Sequence, residues 1–176
     1  METYTIPTES QVAEISVSYS ANIPVANRLT ISSPRIAAEI LRLTWNPNII
    51  EFHEAFKIML LNRRMHLLGI VTLAEGSGHQ TPVDLRHLMA IVLKTNASAI
   101  ILAHNHPSGD SEPSVADKQM TELVVLASEL FSIKVCDHII LTAESYFSFS
   151  DNNIIEYGED FQSASNHFQY LKKHAK

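Results

Sequence analysis

Apolar residues recur along the chain at two spacings, and each spacing predicts an element. Ala13, Ile15, Val17 and Tyr19 alternate with Glu14, Ser16 and Ser18, the period of an edge or hairpin strand with one wet face. Ser33 and Pro34 then supply an N-cap and a first-turn residue. Ile36, Ile40 and Leu43 continue at helical spacing until Asn46-Pro47, which predicts a helix over about 34–45. The apolar runs 55–61 and 67–74, separated by Asn62-Arg63-Arg64-Met65-His66, read as paired strands. Beyond the break Gly76-Ser77-Gly78, Leu85, Leu88, Met89 and Val92 return to the spacing of a half-buried helix. The run 99–103 has no alternation, which predicts a central strand covered on both faces. A loop with Pro107, Gly109 and Pro113 leads into another helix, with Met120, Leu123, Val124, Ala127 and Leu130 assigned to one face. Strands over 134–142 and 146–150 follow, and the chain is polar from about Glu156, with Lys172, Lys173 and Lys176 near its end.

Composition narrows this picture. A chain of 176 residues, 45% hydrophobic and 18% charged, supports one globular core and needs no metal merely to fold. The organisation expected is an N-terminal strand and helix over 1–48 packed on the same domain, a core over 49–155 and a polar tail over 156–176. A formal charge of -6 argues against a general basic coat for nucleic acid and leaves room for a local groove. Cys136 stands alone, so no intramolecular disulfide forms. The polar N-terminus has no signal-peptide pattern, and no apolar run approaches the roughly 20 residues that cross a bilayer. A soluble, cytoplasmic protein with no membrane partner is the expectation.

The segment from His104 to Asp117 carries the chemistry. On an extended backbone His104 and His106 project to the same side, so both imidazoles can address one ion. Asp117, in the first turn of the next helix, can bring a carboxylate to the same point. Two imidazoles, one carboxylate and an open position describe a catalytic zinc site, and equally the facial triad of non-haem iron. Ser114-x-x-Asp117 is also a plain helix-capping signal. Coincidence of these features at the carboxyl end of a central strand favours the metal.

The arrangement His104-x-His106, seven residues, Ser114, two residues, Asp117 resembles the JAMM metalloprotease motif of MPN domains. Asn96-Ala97-Ser98-Ala99, His104-Asn105-His106-Pro107-Ser108-Gly109-Asp110, Pro113-Ser114, Asp117-Lys118 and Asp137-His138-Ile139-Ile140 resemble the RadC family more narrowly. The closest likeness is to its short members, which lack a helix-hairpin-helix region. This resemblance implies a three-layer α/β/α sandwich around a mixed sheet, a deaminase-like MPN (JAB) domain, holding Zn2+ on His104, His106 and Asp117. It further implies Glu54 as the upstream catalytic base, with Glu75 its rival, and Ser114 as a donor to the oxyanion. A Pro-Arg-Glu opening of the middle helix is replaced here by Leu85-Arg86-His87. Cys136 and His138 read as a buried thiol and a structural hydrogen-bonding residue. The function implied is a zinc-dependent hydrolase of peptide or isopeptide bonds with a peptide or protein substrate. The alternative is a DNA-repair or recombination accessory, or a metal-dependent nuclease, with DNA as partner.

Overall fold

Ser33 opens the first helix by accepting a hydrogen bond from the Ile36 amide, with Pro34 in the first turn where its missing amide costs nothing. This is α1, Pro34–Thr44, in the computed structural model, which describes residues 19–20, 23–76 and 83–155. The strand expected over 13–19, apart from Tyr19, and the tail from 156 lie outside the described residues. Next come β1 (Ala55–Leu61), β2 (Leu67–Glu75), α2 (Leu85–Lys94), β3 (Ala99–Asn105), α3 (Val115–Glu129), β4 (Lys134–Leu141) and β5 (Tyr146–Ser148). Asp84 caps α2, its carboxylate accepting from the amides of Arg86 and His87.

The strands form one mixed sheet in the order β2-β1-β3-β4-β5, antiparallel throughout except for the parallel pair β3 and β4. As its unbroken apolar run predicts, β3 is central and buried along its whole length. Side chains alternate between the two faces, so each face has its own core. On one, Ala37, Ala38 and Leu41 of α1 pack against Met59, Leu61, Ile101, Ala103, Ile139 and Leu141. On the other, Leu88, Met89 and Val92 of α2 and Val124 and Val125 of α3 pack against Ile58, Leu60, Ile100, Leu102 and Val135. A helix below the sheet and two above it make the three-layer α/β sandwich expected of a JAB domain.

Two helix faces differ from the sequence reading. In α1 the buried residues are Ala37, Ala38 and Leu41, whereas Leu43 is 86% exposed. In α3 they are Thr121, Val124, Val125 and Ser128, while Leu123 and Leu130 point outward. The inward stripe of α3 carries polar groups, so an apolar count misplaces it. In β4, Ile100 pairs with Val135 and Ile101 with Asp137, leaving Cys136 as an unpaired bulge residue. Because of that extra residue, Val135 packs in the core of the α2/α3 face and His138 reaches the same side. Among the described residues no helix is long and apolar enough to cross a membrane.

Candidate metal centre

The antiparallel register of β1 and β3 pairs Phe56 with His104, and Glu54, two residues before Phe56, lines the same cleft as His106. Asn105, between His104 and His106 in sequence, ties the segment before β1 to β3. Fully buried, it accepts from the Ala55 amide at 2.7 Å and donates to the carbonyls of Ile50 at 2.7 Å and His53 at 2.9 Å. One side-chain amide thus satisfies three backbone groups of the segment that delivers Glu54.

His104, buried at the end of β3, and His106, just beyond it, bring their Nε2 atoms within 2.9 Å of each other. Asp117 Oδ1 lies 3.2 Å from Nε2 of His104, and Oδ2 lies 3.6 Å from Nε2 of His106. One potential ligand atom from each of the three residues falls within 4.8 Å of the others. The His106 Nδ1–H donates to the Asp110 carbonyl at 2.7 Å, which leaves its Nε2 directed inward. Two imidazole nitrogens this close need a proton or a cation between them. Accordingly, the hydrogen bond to Asp117 raises the pKa of His106, against the opposing effect of burial and with help from the Asp110 carbonyl and the charges of Asp117 and Glu54. Burial pushes the Asp117 carboxyl up, but the imidazoles of His104 and His106 beside it and the Ser114 hydroxyl outweigh it and hold it well below the usual carboxylate range. Two imidazoles and a carboxylate converging in this way fit a divalent metal ion, with one side left to the cleft.

Asp117 both caps α3 and faces the imidazoles. Its Oδ2 accepts from the Ser114 amide at 2.7 Å and from the Ser114 hydroxyl at 2.6 Å, completing a capping box, while Oδ1 faces His104. The cap fixes the carboxylate that faces the site.

Behind His104 lie residues whose part sequence spacing did not show. Its Nδ1 is 2.8 Å from Nε2 of His138, and His138 Nδ1 is 2.6 Å from the Thr121 hydroxyl. Phe56 stacks on His104, and Phe149 on His138, which fixes both ring planes. Burial, with His104 alongside, lowers the pKa of His138 far below its ordinary value. Neighbouring Asp137 accepts from the amides of His138 and Ser150 and the hydroxyl of Ser148, tying the β5 segment to β4. A polar Asp137-His138 pair inside an otherwise apolar strand was the available signal. Cys136 is half-buried, and burial pushes its thiol up, away from nucleophile character.

An open cleft of about 870 Å³ meets this cluster, lined by Phe52, Glu54, His106, Ser114, Val115 and Asp117 among others. Glu75 does not line it, and instead pairs across from Ala55 and acts on Lys57, whose pKa burial lowers against the pull of that carboxylate.

Residues 31–154 match the RadC-like JAB domain family. The chain belongs to that family. RadC-like domains thus set the frame for the site, within a class of JAB/MPN domains that are often metallohydrolases and with a His-His-Asp group that can bind a metal. Relatives include a UPF0758 protein of Flavobacterium johnsoniae, 39% identical over 58% of this chain and 44% of that protein. The UPF0758 protein YfjY of Escherichia coli K12 is 41% identical over 58% of this chain and 64% of its own length. A UPF0758 protein of Leptothrix cholodnii is 35% identical over 74% of this chain and 58% of its own. The chain therefore spans about half to under two thirds of the length of these relatives.

Proposed function

We propose that this RadC-like domain is a zinc-dependent hydrolase of amide bonds, peptide or isopeptide, with His104, His106 and Asp117 as ligands and Glu54 as general base. The observation that carries it is the shared cleft, in which a carboxylate outside the ligand set, Glu54, faces the same opening as His106, Ser114 and Asp117. When bound, zinc would depress the pKa of a water toward about 7 and polarise the scissile carbonyl. Glu54 accepts a proton from the attacking water and returns it to the leaving nitrogen as the C–N bond breaks and the new C–O bond forms. Ser114 keeps Asp117 aimed through the capping box. When its hydroxyl swings off Oδ2, it becomes a donor to the developing oxyanion.

Glu54→Gln preserves shape and every ligand while removing the proton acceptor. After a substrate is found with peptide and isopeptide libraries, Glu54→Gln is expected to retain zinc and lose about 10²–10⁴-fold in turnover, and Glu75→Gln to lose far less. Steady-state rates and elemental analysis of both variants check this. A zinc-loaded Glu54→Gln that remains as active as the parent would remove Glu54 from the mechanism.

A further inference from the structure

The hydrogen bonds behind His104 have a direction set by a single backbone carbonyl. Thr121 Oγ1 lies 2.6 Å from the carbonyl oxygen of Asp117. Two oxygens at that distance require a hydrogen between them, and the carbonyl has none, so the threonine hydroxyl donates there. Its oxygen retains only lone pairs for His138 Nδ1, 2.6 Å away, and His138 Nδ1 therefore carries the N–H. A neutral imidazole has one N–H. The other nitrogen of fully buried His138, Nε2, is then an acceptor and takes its hydrogen bond from His104 Nδ1–H at 2.8 Å. His104 is left with a bare Nε2, the atom that meets His106 and Asp117.

We propose that Thr121 and His138 are positioning residues, a two-step relay that locks His104 in the Nδ1–H tautomer and so keeps its Nε2 lone pair turned toward the metal position. The relay begins and ends at the site, because its first acceptor is the backbone of Asp117 and its last donor is the ring of His104. Stacking of Phe56 on His104 and of Phe149 on His138 holds both ring planes in the orientation that these hydrogen bonds need. The relay rests on the reading of His104 as a ligand, but the tautomer itself exists without metal and is measurable without it. Partners of this kind, behind a ligating histidine, typically change metal affinity by 10–100-fold when removed.

The test uses the whole chain, labelled with 15N-histidine and stripped with a chelator, at a pH where His104 and His138 are neutral and His106 keeps the proton that its Nε2 shares with His104 Nε2. Long-range 15N–1H spectra should show both His104 and His138 protonated at Nδ1. Thr121→Val removes the hydroxyl at nearly constant volume, so His138 Nδ1–H loses its acceptor and the proton shifts to Nε2. His104 should then be protonated at Nε2, and zinc affinity should fall about 10–100-fold. Thr121→Ser restores the hydroxyl and should restore both tautomer and affinity, which separates the relay from a packing defect. A wild-type His104 protonated at Nε2, or a Thr121→Val chain that binds zinc as tightly as the parent, overturns the relay. A wild-type chain with the assigned tautomers that binds no zinc overturns the ligand reading and leaves the tautomer lock standing.

Discussion

Asp117 shows how much one side chain does at this site. A single carboxylate closes the helix cap with Oδ2, which also lies beside His106, and meets His104 with Oδ1, and its depressed pKa and the raised pKa of His106 are two sides of one interaction. The signs follow from linkage. With His106 raised above 6.5, its contribution to stability is fully present below that pH and disappears as pH rises through the raised value. The Asp117 contribution is present above 3.8 and lost as pH falls through its depressed value. Metal-free protein is therefore expected to be most stable between these limits and to lose stability on going from pH 6.5 to 8.5. Urea titrations in chelator check this, and Asp117→Asn should flatten the slope. A slope unchanged in Asp117→Asn would place its origin elsewhere.

At the scale of elements, the strands and helices were legible because their apolar periods are strong, and the site was legible where its residues are close in sequence. His104, His106, Ser114 and Asp117 sit within one strand-loop-helix unit, and the structure brings them together. The inward face of α3 was not legible, since Asp117, Thr121 and Ser128 share it and a hydrophobic count turns the helix toward Leu123 and Leu130. His138 was read as a hydrogen-bonding residue, but Thr121 and its contact with His138 escaped for a related reason, as that contact spans β4 and α3 and no spacing encodes it. Asn105 was read only as part of a motif, yet it holds the Ile50–Ala55 stretch to β3. Asn105→Leu strands two buried carbonyls and an amide, at about 1–3 kcal/mol each before relaxation. The variant is expected to lose at least about 2 kcal/mol in denaturant titrations. Zinc binding should survive far better than turnover, because the segment released carries Glu54 and none of the three ligands. Equal losses of zinc and turnover would contradict this division.

Across the whole molecule, two cores separated by the sheet supply the stability, and the cluster of His104, His106 and Asp117 lies at the rim of one of them. His106→Ala should thus abolish most zinc binding while leaving the fold in place, with metal-free parent and variant matching in circular dichroism and differing by less than about 1 kcal/mol in unfolding. Collapse of the variant in the absence of any metal would show the imidazole to be structural. The bulge at Cys136 joins these two levels. The side of a strand on which a residue falls is a matter of odd and even counting, and one unpaired residue inverts the count for everything beyond it. Val135 and His138, an odd number of positions apart, face the same layer for this reason. Shortening β4 by that one residue would leave every other side chain chemically intact and still force a choice, since the strand could keep Val135 in its core or His138 beside His104, but not both.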